Sequence, residues 1–334
     1  MEKILEVKDL HVTFTTYGGT IQAVRGVDFH LNKGETLAIV GESGCGKSVT
    51  SNAIMRLIPN PPGKINAGKI LFKGKDLTSV SEKKMRSIRG VDISMIFQDP
   101  MTALNPTLTI GTQLMEGLRQ HQNVSGAKAK QKALEMMDLV GISNPEERLK
   151  QYPHQFSGGM RQRIVIAIAL ICEPELLIAD EPTTALDVTI QAQILELFEK
   201  IQEVTGVSII LITHDLGVVA KIADRIAVMY AGKIIETGTK RDIFYEQQHP
   251  YTKGLLKSVP RLDVQGEKLN PIDGTPPDLF SPPKGCPFAP RCPLVMEVCN
   301  KIYPDATQLN DSHQVYCWLQ DERGKKLLAS TATK

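Results

Sequence analysis

Short apolar runs separated by polar and turn-forming residues dominate the N-terminal part of the chain. Apolar residues cluster at 5–7, 12–14 and 24–31, where they alternate with polar residues as in half-buried strands. Asn32-Lys33-Gly34 then marks a turn, and the continuous apolar run at 36–40 suits a strand buried on both faces. The pattern therefore predicts an N-terminal β region that leads into a central strand.

Three further apolar runs, at 176–180, 207–213 and 226–230, are also predicted to be buried strands. A helical pattern at 188–204 separates the first two runs. Strands that alternate with helices are typical of a mainly parallel sheet.

The middle of the chain, at about 81–155, carries helical rather than strand-like patterns. One face of a predicted helix collects the apolar residues Ala133, Met136, Met137 and Val140. Gly141 follows directly, and a glycine in this position favours the end of a helix.

The composition changes after about residue 256, where prolines crowd the segment 271–293. A packed helix or central strand does not tolerate this density of proline, so we interpret the segment as a linker into a small appended module. The predicted domains are a main domain at 1–255, with a helical subdomain at about 89–163, and a C-terminal extension at 256–334.

The bulk composition narrows the class of protein. Of 334 residues, 42% are hydrophobic and 23% are charged, and the formal net charge is +2. These values argue against a disordered chain and against a protein that binds nucleic acid by neutralising phosphates. The most apolar run, 164–172, is far shorter than the roughly 18 residues of a membrane span, and no signal-peptide pattern follows Met1. We expect the chain to stay in the cytosol, so that any function at a membrane would require docking on other subunits.

A glycine-rich segment carries the first chemical motif. Gly41-Glu42-Ser43-Gly44-Cys45-Gly46-Lys47-Ser48 fits the pattern G-x-x-x-x-G-K-[ST] at every fixed position, between an apolar run and a helical run. The backbone N–H groups of this segment and the dipole of the following helix favour the binding of phosphate. Lys47 supplies a positive charge to the β- and γ-phosphates, and the Ser48 hydroxyl can bind Mg²⁺. Cys45 stands at a variable position and is given no redox role. The motif alone leaves a kinase, a GTPase and an ATPase open.

A second motif places two acids at the end of an apolar run, Leu176-Leu177-Ile178-Ala179-Asp180-Glu181. A buried acid is costly without a partner, and Mg²⁺ at the carboxyl edge of a parallel sheet is the natural partner for Asp180. Glu181 is then placed to polarise an attacking water. A strand that simply ends in solvent is the alternative, and the phosphate-loop pattern earlier in the chain makes it the weaker one.

The segment Phe156-Ser157-Gly158-Gly159-Met160-Arg161-Gln162 resembles the signature motif L-S-G-G-x-x-Q of ABC-type ATPases, with Phe156 in place of the leucine. Other elements of that family occur in order. Gln98 resembles the Q-loop glutamine, Ala185-Leu186-Asp187 resembles the D-loop, and His214 resembles the switch histidine. A lone histidine or glutamine is usually structural or exposed, but the ordered set identifies the chain as a member of this family.

The resemblance implies an α/β fold, that of an ABC-type P-loop ATPase with a RecA-like parallel-sheet core. It also implies an N-terminal antiparallel β part, a helical subdomain and a small C-terminal Cys-rich metal-binding extension. The implied activity is Mg²⁺-dependent hydrolysis of ATP. In this family each ATP is sandwiched between the phosphate loop of one subunit and the signature motif of another, and closure and hydrolysis are coupled to transport.

The resemblance further assigns roles to single residues. Glu181, His214 and Gln98 are the expected catalytic residues, and Ser48, Gln98 and Asp180 are the expected Mg²⁺ ligands. Phe14 is the first candidate for stacking on adenine, and Tyr17 is its competitor. The remaining contacts to the nucleotide are expected from Gly41, Ser43, Gly44, Cys45, Gly46, Lys47, Val49, Ser157, Gly158, Gly159, Gln162 and Asp187.

A narrower resemblance covers nearly the whole chain. The segments 95–106 and 249–252, together with the cysteine-bearing tail, look like the D-type ATPases of oligopeptide/dipeptide permeases, a family that includes some nickel importers. The resemblance implies a second, non-identical ATPase subunit, two membrane subunits that contact the segment after Gln98, and an external peptide-binding protein. It places the chain at the cytoplasmic face of the membrane, without a nucleic-acid partner.

Four cysteines cluster in the tail with the spacing C-x5-C-x6-C-x17-C, whereas Cys45 and Cys172 stand alone. In a reducing cytosol such a cluster favours metal ligation over disulfides. The spacing matches neither paired zinc ligands nor a ferredoxin run, so it leaves the metal open. The resemblance implies a [4Fe-4S] cluster, with Zn²⁺ as the alternative and disulfides third, in a structural or a redox-sensing role. The expected ligands are Cys286, Cys292, Cys299 and Cys317.

Two other functions compete with transport. Soluble ABC-type ATPases that act on DNA carry long coiled coils, and those that act on ribosomes usually carry two cassettes. This chain shows one cassette and no sustained heptads, which disfavours both. A P-loop kinase or GTPase is disfavoured by the signature motif.

Overall fold

The computed structural model describes residues 2–98, 103–184, 187–258 and 272–325. The chain forms two compact units. The first comprises the described residues of Met1–Leu5, Leu31–Thr36 and Phe72–Thr213, and the second comprises those of Glu6–His30, Leu37–Leu71 and His214–Lys334. Across these described ranges, no helix is long and apolar enough to cross a membrane.

The strands in chain order are β1 (Lys3–Thr16), β2 (Gly19–Asn32), β3 (Thr36–Val40), β4 (Gly63–Phe72), β5 (Lys75–Asp76), β6 (Ile93–Ile96), β7 (Leu176–Asp180), β8 (Ser208–Thr213), β9 (Arg225–Tyr230), β10 (Lys233–Thr239), β11 (Thr307–Gln308) and β12 (Gln314–Val315). The α-helices are α1 (Lys47–Ile54), α2 (Glu82–Ile88), α3 (Ile110–Gln122), α4 (Gly126–Leu139), α5 (Pro145–Arg148), α6 (Gly158–Leu170), α7 (Val188–Thr205), α8 (Leu216–Ile222), α9 (Lys240–Tyr245), α10 (Pro250–Lys257) and α11 (Glu297–Lys301). Short 3₁₀ turns occur at Pro153–Gln155 and Ala289–Arg291.

Three parallel strands form the sheet of the first unit, in the order β6-β7-β8. Ile93 lies opposite Leu176, and Leu176 lies opposite Ser208. Every residue of these strands is buried, and strands covered on both faces need apolar side chains at nearly every position. The predicted buried strands at 176–180 and 207–213 are thereby confirmed.

Helix α4 represents the helical middle of the chain. Ala133, Met137 and Val140 are buried, whereas Met136 is only half-buried, so the apolar face is slightly narrower than the sequence pattern predicts. Gly141 follows the helix with φ +74°, a left-handed conformation that glycine adopts readily and that ends the helix.

The second unit contains a mixed sheet in the order β11-β12-β10-β9-β3. β3 and β9 are parallel, whereas β9, β10 and β12 pair antiparallel. The long strands β1, β2 and β4 also lie mostly in this unit, in the order β2-β1-β4. The sequence predicts two short runs, 5–7 and 12–14, where the structure has the single strand β1, because the polar pair Lys8-Asp9 interrupts the alternation; Asp9 has φ +46°.

The described part of the C-terminal extension shares the core of the second unit. β12 pairs with β10, with Val315 opposite Glu236. Phe288 and Trp318 belong to the same buried cluster as Val228 of β9. The proline-rich stretch forms no α-helix or β-strand in its described part, residues 272–293, as its composition predicts, and it contains the 3₁₀ turn at Ala289–Arg291. The boundary at residue 256 stays a prediction.

Candidate nucleotide site

The phosphate-loop segment lies between the end of β3 and the start of α1, as predicted. Gly41, Gly44 and Gly46 have φ values of +154°, +76° and +104°. A Cβ atom at Gly41 would lie 2.1 Å from the carbonyl oxygen of Met229, and one at Gly46 would lie 2.5 Å from that of Ala23. Only glycine fits at these two positions, so the loop can wrap tightly enough for its amides to face an anion.

Lys47 is held inside this loop. Its side chain is buried, and its Nζ atom donates to the carbonyl oxygens of Gly41 at 2.8 Å and Glu42 at 3.0 Å. Burial raises the pKa of the neighbouring Cys45 thiol, so Cys45 stays protonated at neutral pH. Ser48 and Val49 lie in the first turn of α1 and are half-buried.

The two aromatic candidates for adenine differ sharply in exposure. Phe14 is half-buried, and a Cβ atom at Gly63 would lie 2.7 Å from its Cε1 atom. Tyr17, in the turn between β1 and β2, is fully exposed to solvent. Of the two candidates for stacking on adenine, Tyr17 is therefore the one whose aromatic ring is open to solvent.

The acidic motif lies in the first unit, at the end of β7. Asp180 is buried, and Glu181 has φ +48°, an unusual left-handed conformation for a residue other than glycine. The N–H of Glu181 donates to the carbonyl oxygen of Ile212 at 2.8 Å, which fixes the turn. Strained backbone of this kind is typical of functional sites.

The carboxylate of Glu181 accepts two hydrogen bonds. Its Oε2 atom is 2.9 Å from Nε2 of Gln98 and 2.9 Å from Oγ1 of Thr184. The structure thus brings together two of the predicted catalytic residues, which are far apart in sequence. The sequence analysis missed Thr184, although a hydroxyl three positions after an acid is a recognisable signal for such a contact.

The signature segment begins helix α6. The Ser157 hydroxyl accepts the Met160 N–H at 3.4 Å as the N-cap, and Gly158 and Gly159 occupy the first turn. Gln162 is buried, and its Nε2 atom donates to the carbonyl oxygen of Pro182 at 2.6 Å. Gln162 therefore ties the signature helix to the backbone next to Glu181.

The remaining predicted residues lie at helix starts. Asp187 is the N-cap of α7, whereas Ala185 and Leu186 of the predicted D-loop lie outside the described residues. The same holds for residues 99–102 of the segment after Gln98. His214, in the second unit, is exposed just before α8, whose N-cap is Asp215.

The four tail cysteines line one small pocket. Its other lining residues are His249, Pro250, Phe288, Ala289, Leu294, Trp318 and Leu319. Burial raises the pKa of Cys286 to about 12 and that of Cys317 to about 12, so both thiols are protonated at neutral pH. Among the described residues, no group of three or more His, Cys, Asp or Glu side chains is arranged to hold a metal ion. The side-chain arrangement does not support the predicted metal centre.

His249 adds a polar atom to this apolar pocket. Its Nδ1 atom accepts the Tyr251 N–H at 3.0 Å, so the ring proton lies on Nε2. That N–H is buried and has no hydrogen-bond partner among the described residues. Burial lowers the pKa of His249 to about 4, which keeps the ring neutral.

Comparison with known proteins identifies the class that these features define. Residues 24–184 match the family described as "ABC transporter", and residues 235–299 match the family described as "Oligopeptide/dipeptide transporter, C-terminal region". The dimeric ABC transporter cassette MJ0796 is similar with a TM-score of 0.63 and 28% identity, over 71% of this chain and 99% of that one. That cassette has also been solved in a post-hydrolysis state with ADP and Pi. The fold is that of an ABC-type ATPase.

Two relatives narrow this class. The dipeptide transport ATP-binding protein DppD of Bacillus subtilis (strain 168) is 70% identical over 334 residues, which is 100% of both chains. The oligopeptide transport ATP-binding protein OppD of the same strain is 59% identical, over 99% of this chain and 93% of the relative. The chain belongs to the family of ATP-binding subunits of dipeptide and oligopeptide ABC transporters.

Proposed function

We propose that this chain hydrolyses ATP to power the import of dipeptides or oligopeptides through a membrane permease. The observation that carries the proposal is the 70% identity, over the full length of both chains, to a protein named for dipeptide transport. The nickel-import alternative has no comparable support, because the relatives described above are named for peptides.

The chemistry follows from the residues of each unit. In the second unit, Lys47 and the loop amides bind the phosphates of ATP, and Ser48 offers a hydroxyl to Mg²⁺. In the first unit, Asp180 and Gln98 offer the hard oxygen atoms that Mg²⁺ prefers, and Glu181 acts as the base that polarises water. His214 takes the role of the switch histidine.

The ends of two elements suit contacts to the nucleotide. Tyr17, with its exposed ring, stacks on adenine in preference to the half-buried Phe14. Ser157 and Gly158 are exposed at the positive end of α6, and this end binds the γ-phosphate of an ATP held by a partner subunit. Closure of two ATPase subunits around ATP and their release after hydrolysis then drive the permease.

The proposed assembly contains a second, non-identical ATPase subunit and two membrane subunits, with an external peptide-binding protein. The chain docks peripherally on the membrane subunits through the segment after Gln98. In this arrangement the peptide pocket belongs to other subunits, so the chain itself selects no peptide.

A transport assay tests this function. The assembled transporter is reconstituted in vesicles with its binding protein and labelled dipeptide, and a matched assembly carries Lys47→Ala. We expect peptide uptake that needs ATP on the side of this chain, and its loss in the variant, because the lysine cation is required for phosphate binding. Hydrolysis without peptide uptake, but with uptake of Ni²⁺, would establish the nickel alternative instead.

We further propose that the four tail cysteines hold a [4Fe-4S] cluster. The four thiols line one pocket, and four cysteine thiolates are the ligand set of a [4Fe-4S] cluster. The buried Nε2–H of His249, which lines the same pocket, is a donor suited to a cluster or ligand sulfur. A bound cluster would stabilise the thiolates against the cost of burial and so contribute to folding.

Metal analysis of protein purified without oxygen tests this proposal. We expect a brown protein with near-equal iron and acid-labile sulfide, bleached by dithionite. Cys299→Ser should lose iron, whereas Cys172→Ser, which changes a buried cysteine outside the pocket, should keep it. A colourless protein with stoichiometric zinc would refute the cluster and leave the ATPase function untouched.

A further inference from the structure

Glu42 of the phosphate loop is held at three points within the second unit. Its N–H donates to the hydroxyl of Tyr251 at 2.9 Å. Its carbonyl oxygen accepts from Nζ of Lys47 at 3.0 Å, and its carboxylate accepts from Nη1 of Arg291 at 2.8 Å. Two of these three partners, Tyr251 and Arg291, belong to the C-terminal part of the chain rather than to the loop. The conformation of the loop therefore depends on distant residues.

Arg291 uses its whole guanidinium group in this contact. Nη1 also lies 3.2 Å from the hydroxyl of Tyr230, Nη2 donates to the carbonyl oxygen of Ile272 at 3.0 Å, and Nε donates to that of Asp273 at 2.9 Å. The side chain is only 6% exposed. A planar group with donors in several directions can make these bonds together, and lysine cannot.

Aromatic rings fix the position of this guanidinium. Its carbon atom lies 5.8 Å from the ring centre of Tyr230 and 5.9 Å from that of Phe288. Tyr251 packs on Tyr230 with ring centres 4.5 Å apart, and both tyrosines lie 5.4 Å from Phe288. Arg291 is thus positioned by buried rings, within a segment bounded by Cys286 and Cys292.

A second contact brings the extension to the same loop. Pro276, Pro277 and Leu279 line a small pocket together with residues 42–45 of the phosphate loop. The N–H of Gln22 donates to the carbonyl oxygen of Leu279 at 2.9 Å, which attaches this proline-rich stretch to β2. The stretch therefore lies close to the phosphate loop.

We propose that Arg291 is a positioning residue for ATP binding. By holding the carboxylate of Glu42, it keeps the loop backbone in the shape that presents Lys47 and the loop amides to phosphate. A loop ordered before ATP arrives loses less conformational entropy on binding. The C-terminal extension therefore contributes to ATP binding, and this contribution does not depend on the ligand that the four cysteines bind.

The test measures ATP affinity of the full-length chain by titration with a slowly hydrolysed ATP analogue. Arg291→Ala should raise the Kd by about 10- to 100-fold, the range expected for loss of a hydrogen bond between charged groups. Glu42→Gln should also raise the Kd for ATP. The double variant should bind ATP no more weakly than the weaker-binding single variant, because both substitutions remove the same contact. Arg291→Lys keeps the charge and should recover part of the affinity.

In the assembled transporter, Arg291→Ala should raise the KM for ATP and leave kcat near the parent value. A merely structural role would lower the melting temperature without this split. Arg323→Ala is the matched control, since Arg323 also lies over an aromatic ring, 4.9 Å from that of Trp318, and pairs with Asp305 and Asp321. It should bind ATP like the parent.

Three results would overturn the proposal: parental affinity in Arg291→Ala, fully additive effects in the double variant, or an equal loss of affinity in Arg323→Ala. If Arg291→Ala fails to fold, the ATP affinity of Glu42→Gln tests the proposal by itself, because this variant leaves Arg291 and its aromatic neighbours in place. Parental affinity in Glu42→Gln would then refute the proposal.

Discussion

Replacing Glu181 by glutamine should lower the rate of ATP turnover by about 10²- to 10⁴-fold, the usual contribution of a general base. The amide is isosteric, so its oxygen can still accept from Gln98 and Thr184, which hold the carboxylate in the parent protein. The change therefore removes proton acceptance and leaves the local geometry intact. Turnover is measured in the assembled transporter at saturating ATP, and ATP affinity is measured in parallel.

Glu173→Gln is the matched control for this substitution. Glu173 is also a glutamate with left-handed backbone, φ +59°, in the same unit, but its side chain is exposed and pairs with Lys132. We expect parental turnover in this variant. ATP turnover at the parent rate in Glu181→Gln would show that another group activates the water. Loss of ATP affinity together with turnover would assign Glu181 to binding instead.

Replacing Glu236 by alanine should lower the free energy of unfolding at neutral pH by about 1–3 kcal/mol for each buried donor that loses this acceptor. Glu236 is 0% exposed in strand β10. Its carboxylate lies 2.8 Å from Nε2 of His313 and accepts the N–H groups of Gln248 at 2.6 Å and His249 at 3.0 Å. The alanine variant leaves these donors unpaired in the interior. Urea titrations of both proteins measure the difference.

The pH dependence of this difference follows from the pKa of Glu236. Burial alone would raise this pKa, but the hydrogen bonds from His313 and the backbone amides outweigh burial and lower it below its ordinary value of 4.5. The folded state thus binds a proton at Glu236 less readily than the unfolded state. The stabilising contribution is complete above pH 4.5 and is lost as the pH falls through the lowered folded-state pKa.

The difference between parent and Glu236→Ala should accordingly be constant above pH 4.5 and shrink below it. Glu297→Gln serves as the control. The pKa of Glu297 is also lowered, by a hydrogen bond from Lys301, but its side chain is exposed. Exposed pairs contribute little, so this variant should unfold like the parent. If the difference in the free energy of unfolding between parent and Glu236→Ala grew as the pH fell below 4.5, Glu236 would not have a lowered pKa in the folded state.

The central strands and the phosphate loop could be predicted from local pattern. β3, β7 and β8 are buried on both faces, and this condition leaves continuous apolar runs in the sequence. Gly41 and Gly46 are required where a Cβ atom would strike backbone, so the loop motif reports local geometry directly. In both cases the physical cause lies within a few residues of the signal.

Contacts between residues that are distant in sequence left no local sequence pattern from which they could be predicted. The hydrogen bond between Gln98 and Glu181 was not predicted, although resemblance to family elements assigned each residue a catalytic role. The pairing of Arg291 with Glu42 was missed, because an arginine in a proline-rich tail looks like any solvated cation. The short strands β11 and β12 were missed as well, since two residues cannot show a period.

The choice between Phe14 and Tyr17 shows a further limit of sequence patterns. Both are aromatic residues near the end of β1, and the sequence gives no measure of which ring packs inward. The small residue that Phe14 covers, Gly63, lies on a different strand, so the burial of Phe14 depends on tertiary structure.

The pairing of β12 with β10 has a consequence for biosynthesis. Val315 and His313, which cover Glu236, are among the last described residues to leave the ribosome. Until they emerge, the nascent chain has an open sheet edge at β10 and a carboxylate without its histidine partner. Chains that stall or are cleaved before residue 313 keep that open edge, which is a template for aggregation and a mark for proteolysis.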